Sequence, residues 1–191
     1  MPQLELTSDH VWVVNNFKKD KNYSYYDGVV TEILSLYSPG KNFRIRRRHG
    51  EKPVMAPLDG EEIFFSLSHA EDVLVLAISK DGELGVDAEY VKDRRYASRI
   101  AQRYFRAEEG PSTLECFYRS WTAREAFIKA IGSGLGKSIS AIQTKNRDEE
   151  MFIGLKDDFS HRVSFYHPLA NFLVAVCRKK ESMKKIVLRT M

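Results

Sequence analysis

Hydrophobic and polar positions change period along the chain, and the changes mark its elements. Ile63-Phe-Phe-Ser-Leu-Ser and Val73-Leu-Val-Leu-Ala-Ile-Ser are short apolar runs rich in strand formers. Asp81-Gly82 follows as a two-residue hairpin signal, and Leu84 to Glu89 reads as the return strand. Arg94 to Phe105 places Tyr96, Ile100 and Tyr104 at steps of four, which predicts a helix. Beyond the Gly110-Pro111 break, Leu114, Phe117, Tyr118, Trp121, Ile128 and Ile131 recur at helical spacing. Ser112 and Glu115 have capping-box spacing, with Ser112 as the expected N-cap. Gly132 and Gly134 supply the left-handed geometry that ends a helix. The span 113–131 runs roughly 28 Å at the usual helical rise.

A faint repeat overlies these elements. Ser66-Leu-Ser-His69 lines up with Ser164-Phe-Tyr-His167 at an offset of 98, and Leu74-Val75 with Leu173-Val174 at 99. Read as a repeat, the chain is a pseudo-dimer with a central cleft, a common place for a ligand. Two short matches also arise by chance, and the residues alone leave both readings open.

Composition narrows the class. A chain of 191 residues with 43% hydrophobic and 12% aromatic residues can build a core, which excludes a disordered chain. The length fits one domain or two small lobes sharing a core. The longest apolar run, Val73 to Ile78, falls far short of the ~20 residues that span a bilayer. The opening Met-Pro-Gln-Leu-Glu-Leu has neither the basic patch nor the apolar stretch of a signal peptide, so a cytoplasmic location is expected. Cys116 and Cys177 are too few for a disulfide scaffold or a cysteine-rich zinc module, and both read as buried small apolar residues. Thirty Lys and Arg against 26 Asp and Glu give a net charge of +4, a faint pointer to anionic partners.

Several constellations could carry chemistry. Asp87 and Glu89 are two apart on an expected strand, so their carboxylates share a face. Like charges that close repel unless a cation neutralises them, and hard oxygen ligands suit Mg²⁺ with substrate phosphate oxygens. A solvated strand end is the bland alternative. Glu125 lies four residues after Trp121, on the apolar stripe of the long helix, where a carboxylate needs a partner. Lys129 is one turn further on and Arg124 is adjacent; the group reads equally as a buried polar site or a surface ion pair. Gly136-Lys137-Ser138 fails as a phosphate-binding loop, since position 131 is Ile131 and the segment follows a helix. Between residues 41 and 52, Arg44, Arg46 and Arg48 alternate, either as an anion site or as a charged edge that blocks aggregation. Only Phe43 offers an aromatic there, which weakens a nucleic-acid reading. His69, after Phe65-Ser-Leu-Ser68, could donate to a phosphate or simply be a satisfied structural histidine; the remaining histidines lack metal-ligand spacing.

Taken together, these pieces resemble a family. Gly85-Val-Asp-Ala-Glu89, then Trp121-Thr-Ala-Arg-Glu-Ala-Phe-Ile-Lys129, then Gly134-Leu135, resemble the signature of the 4′-phosphopantetheinyl transferases, with Glu125 following Asp87 by 38 positions. Phe65-Ser-Leu-Ser-His69-Ala resembles the family's F-N-[IL]-S-H-S segment, and Lys52-Pro53 its G-K-P. The length and half-repeat are similar to the Sfp-like monomeric class. The resemblance implies an α+β fold of two similar lobes, residues 1–92 and 93–191, related by a pseudo-two-fold. Each lobe would pack a small antiparallel sheet on a long helix.

The resemblance also implies an activity: transfer of 4′-phosphopantetheine from coenzyme A to a serine of an apo acyl or peptidyl carrier protein, releasing adenosine 3′,5′-bisphosphate. Asp87, Glu89 and Glu125 would bind Mg²⁺, with Asp87 also at the cofactor's pyrophosphate. Arg124 and Lys129 would hold the pyrophosphate oxygens, and Lys52, Ser68 and His69 the 3′-phosphate. Arg103-Tyr-Phe-Arg-Ala-Glu-Glu109 resembles the family's R-F-F-x-x-x-E, which makes Glu109 a candidate base beside Glu125 and a metal-bound water. Arg124 stands where the family usually has Lys, and Glu51 is an extra residue within the G-K-P motif. No clear counterpart of the family's N-terminal basic residues is present, which leaves Lys19, Lys21 or the Arg44–Arg48 run as substitutes. Two other classes compete. A Mg²⁺-dependent nuclease would want D…[DE]-x-K, but Glu89-Tyr-Val-Lys92 has one residue too many. A basic nucleic-acid binder would use residues 41–52 and show salt-sensitive, Mg²⁺-independent affinity. The expected partners are coenzyme A and a carrier protein, with no nucleic acid, no membrane and a monomeric state.

Overall fold

The computed structural model describes residues 7–17, 23–37, 43–46, 54–57, 63–92, 97–105, 113–132, 139–147, 150–182 and 184–191. The fold is α+β. Strands β1 (Asp9–Val14), β4 (Phe64–Ala70), β5 (Val73–Ser79) and β11 (Ile186–Thr190) form a four-stranded sheet in the order β11-β1-β5-β4. Strands β6 (Leu84–Tyr90), β7 (Ile142–Arg147), β8 (Glu150–Leu155), β9 (Asp158–Tyr166) and β10 (Phe172–Lys179) form a five-stranded sheet in the order β6-β10-β9-β8-β7. Strands β2 (Phe43–Arg46) and β3 (Val54–Pro57) make a separate antiparallel pair. The helices are α1 (Tyr23–Ser35), α2 (Ala97–Tyr104) and α3 (Leu114–Ala130). No helix among the described residues is long and apolar enough to cross a membrane.

The layers follow from strand periodicity. Every residue of β5 is buried, because both faces of its sheet are covered. Leu74, Leu76 and Ile78 pack with Val30, Ile33 and Leu34 of α1. Val73, Val75 and Ala77 face the other way, onto Val86, Ala88, Val174 and Val176 of the five-stranded sheet. The far face of that sheet, through Ala175, Cys177 and Val163, receives Ala123, Ala126, Phe127 and Ala130 of α3. Each fully buried Leu or Ile in such a sandwich contributes about 1.5–3 kcal/mol of transfer free energy.

The two halves run in parallel order. Strand β1, helix α1 and strands β4 and β5 are matched by β6, α3, β9 and β10, with lateral orders β1-β5-β4 and β6-β10-β9. The cross-strand pair Ser68–Val75 has its counterpart in Tyr166–Val174, at the offsets of the sequence repeat. The chain nevertheless crosses between sheets on either side of position 92. Strand β6, before it, lies in the five-stranded sheet, and β11, at the other end, returns to pair in parallel with β1.

Three local expectations are corrected. Asp81-Gly82 closes no hairpin: β5 already pairs with β1 and β4, so the chain turns the corner into the facing sheet, with Gly82 at φ +147°. The tight hairpin is instead at Glu71-Asp72, between β4 and β5. Thr113, not Ser112, caps α3: its extended backbone lets Oγ1 accept the Cys116 N–H at 3.1 Å. Ser112 and Gly134 lie outside the described residues, while Gly132, at φ +63°, follows the helix end as expected. Cys177 is buried, but Cys116 is exposed, because the first turn of α3 presents that side to solvent.

Candidate active site

The site is built where β6 meets α3. Val86 and Ala88 point into the core between the sheets, so Gly85, Asp87 and Glu89 point the other way. Gly85 lets the helix come close: a Cβ there would sit 1.9 Å from the Ala126 carbonyl oxygen and 2.4 Å from the Ala130 nitrogen. Helix α3 then lays Trp121, Glu125 and Lys129, one turn apart, along the carboxylate face of β6. A pocket of about 710 Å³ opens there, lined by Ser68, His69, Glu71, Asp72, Asp87, Glu89, Tyr90, Trp121 and Glu125 among others.

Asp87 is the hub. Its Oδ1 accepts the Lys129 ammonium at 2.8 Å and the Ser68 hydroxyl at 2.8 Å. Glu125 has its pKa raised, first by burial, then by the charges of Asp87 and Glu89, with Lys129 opposing. Glu71, on the pocket wall, pairs with Lys92 at 2.5 Å. The backbone of Lys92 is held in turn by the Tyr118 hydroxyl, which donates to its carbonyl at 2.8 Å.

The structure therefore brings Asp87, Glu89, Glu125, Ser68 and His69 to one pocket, with Lys129 bonded to Asp87. It does not bring Arg124 there. Arg124 is fully buried, its guanidinium 4.5 Å over the Phe105 ring and its nitrogens donating to the carbonyls of Ser120 and Ile142. Position 124 is turned about 100° around the helix from 125, toward the end of α2 and the start of β7. Lys52 and Glu109 lie outside the described residues, as do Arg47 and Arg48; Arg44 is exposed on β2. Sequence reading missed the wall formed by Glu71, Asp72, Tyr90 and Trp121. Its one signal was an acidic pair directly after Ser68-His-Ala; Trp121 looked like core, and it does stack on Phe117 with an interplanar angle of 11°.

The donor set bears on a cation. Among the described residues, no three His, Cys, Asp or Glu side chains are close enough to form a ready cage. Mg²⁺ does not require one, since it usually takes one or two carboxylates and completes its shell with water and substrate phosphate. Three carboxylates bordering one pocket, with the proton affinity of Glu125 raised by burial and then by Asp87 and Glu89, offer hard oxygen donors of the kind such an ion takes.

Comparison with known proteins finds similar chains. Residues 83–177 match the model of the 4′-phosphopantetheinyl transferase superfamily. The chain is similar to 4′-phosphopantetheinyl transferase AcpT of Salmonella typhimurium, 31% identical over 104 residues, covering 50% of this chain and 54% of that one. It is similar to 4′-phosphopantetheinyl transferase HetI of Nostoc sp., 27% identical over 148 residues, covering 69% and 62%. Among solved structures it matches Thermotoga maritima holo-[acyl-carrier-protein] synthase with a TM-score of 0.42 and 24% identity, over 50% of this chain and 61% of that one. The chain spans about half the length of the curated relatives it matches.

Proposed function

We propose, for a chain whose residues 83–177 match the 4′-phosphopantetheinyl transferase superfamily, that it transfers 4′-phosphopantetheine from coenzyme A to a serine of an apo carrier protein. The observation that carries this is the meeting of Asp87, Glu89 and Glu125 in one pocket with Lys129 bonded to Asp87. In the reaction, the serine Oγ bonds to the phosphorus that bears pantetheine. The bond from that phosphorus to the adenosine-side phosphate breaks, and adenosine 3′,5′-bisphosphate leaves. Negative charge grows on the equatorial and leaving oxygens.

Lys129, whose ammonium reaches the carboxylate hub, meets that charge once pyrophosphate is present. Asp87, Glu89 and Glu125 border the pocket, and one or two of them would hold Mg²⁺, which would supply Lewis-acid charge stabilisation when bound. The candidate acceptors of the serine proton are Glu125 and Glu109. His69 and Lys52 receive the 3′-phosphate in this reading. The matched order of β1-α1-β4-β5 and β6-α3-β9-β10 supports a pseudo-two-fold relating lobes 1–92 and 93–191, with β6 and β11 exchanged between them.

The test is direct. Incubated with Mg²⁺, coenzyme A and a panel of apo carriers, the protein adds the mass of phosphopantetheine to at least one carrier; no adduct with any carrier refutes the reading. Glu125→Ala and Asp87→Ala each abolish the adduct while the far-ultraviolet circular dichroism stays folded. A fully active Glu125→Ala removes that residue from the machinery.

A further inference from the structure

Strands β4 and β6 lie side by side but belong to different sheets and share no backbone ladder. Two serines on one face of β4 join them instead. The Val86 N–H donates to Ser66 Oγ at 3.0 Å, and Ser68 Oγ donates to Asp87 Oδ1 at 2.8 Å. Alternation along the strand puts positions 66 and 68 on the same side, which is why Ser-Leu-Ser, and not two adjacent serines, makes this seam. Ser68 and Asp87 are each only 7% exposed, so their bond is shielded from competing water.

A serine hydroxyl has one proton to give. Ser68 gives it to Asp87. A phosphate dianion accepts hydrogen bonds and offers none, so this hydroxyl has no donor left for the 3′-phosphate that the family resemblance implied. The same Oδ1 also takes Lys129 at 2.8 Å. One oxygen is thus held by two donors from different elements, β4 in one sheet and α3 on the other.

We propose that Ser68 is a positioning residue, acting through Asp87 to fix the orientation of that carboxylate in the pocket, and not a ligand of the coenzyme's 3′-phosphate. The kinetic half of the test rests on the transferase reading; the stability half does not.

Wild type, Ser68→Ala and Ser68→Thr are assayed with coenzyme A and with 3′-dephospho-coenzyme A. Losing a hydrogen bond to a charged group lowers kcat of Ser68→Ala about tenfold with both substrates. The ratio of the two kcat/KM values stays at the wild-type level, and Ser68→Thr, which keeps the hydroxyl, recovers most of the rate. A ratio that collapses toward one in Ser68→Ala makes Ser68 a phosphate ligand and overturns the proposal.

Independently of turnover, urea unfolding of wild type, Ser68→Ala, Asp87→Ala and the double variant closes a double-mutant cycle without coenzyme. Ser68→Ala shifts the unfolding constant about tenfold in the wild-type background and far less beside Asp87→Ala. Equal shifts in both backgrounds overturn the proposal even if the protein transfers nothing. Should Asp87→Ala not fold, Asp87→Asn replaces it, and its neutral acceptor roughly halves the logarithm of the shift. A wild type inactive with both substrates refutes the transferase reading alone, and the unfolding cycle still decides the role of Ser68.

Discussion

Glu125 shows what burial beside two carboxylates does to a single residue. Its pKa is raised from 4.5 by burial and by the carboxylates of Asp87 and Glu89. The folded protein therefore holds the Glu125 proton more tightly than the unfolded chain does. That contribution favours the fold at low pH and is lost as pH rises through 4.5 and then through the raised value. Glu125→Gln removes the loss. Its melting temperature at pH 7 lies above that of wild type, and the difference closes as pH falls below 4.5, measured by thermal denaturation across that range. The transferase reading expects the same variant to abolish transfer. A carboxylate that destabilises its own fold where it must be ionised, and is kept for chemistry, is the expected pattern. Arg124 shows the opposite. Its guanidinium lies over an aromatic ring and donates to backbone carbonyls, so it ties α3 to Phe105 and β7.

At the scale of elements, the contact of β6 with α3 is decided by one missing side chain. Gly85 looked like part of a motif, with no reason visible in the sequence. The structure supplies the reason: backbone atoms of α3 occupy the place of a Cβ. Gly85→Ala must push the helix off the strand, since the obstructing atoms are backbone and cannot rotate away. A loss of about 1–3 kcal/mol or more is expected in urea unfolding, with transfer activity falling further than stability because Glu125 and Lys129 move with α3. The helix itself was legible from its 3.6-residue apolar spacing, and so was its end at Gly132. Its cap shifted by one residue because Ser and Thr are both competent caps. Backbone geometry, not composition, chose Thr113. The strands β4, β5 and β6 were legible too. The partner of β6 was not, because a two-residue Asp-Gly turn reads alike whether the chain folds back or crosses to a facing sheet.

At the scale of the molecule, the two sheets are pinned through the core. Asp9 at the start of β1 and Arg178 at the end of β10 form an ion pair at 2.7 Å, and both are almost fully buried. The same guanidinium donates to the Lys184 carbonyl at 2.6 Å, which anchors the chain as it returns to add β11. Breaking one side of a buried pair strands a charge. Arg178→Met is expected to cost about 3–5 kcal/mol, while Asp9→Leu with Arg178→Met recovers most of it, as read from urea midpoints. An equal cost in the single and double variants refutes this account.

By itself, the sequence marked the strands near 63–68, 73–79 and 84–89 and the helices of 97–104 and 114–130, because burial imposes its period on those residues, while β1, α1, β7, β8, β9 and β11 went unread. It also singled out Asp87, Glu89, Glu125 and Lys129 as candidates for one site, because their types and spacing are fixed along the chain. Tertiary structure decided the rest. Which sheet takes β6 and β11, which way Arg124 turns, and which partner receives the single proton of Ser68 all depend on contacts between residues far apart in the chain. Nothing in local spacing encodes them: a donor's partner is set by what packing brings within about 3 Å of it, and packing is a property of the whole fold.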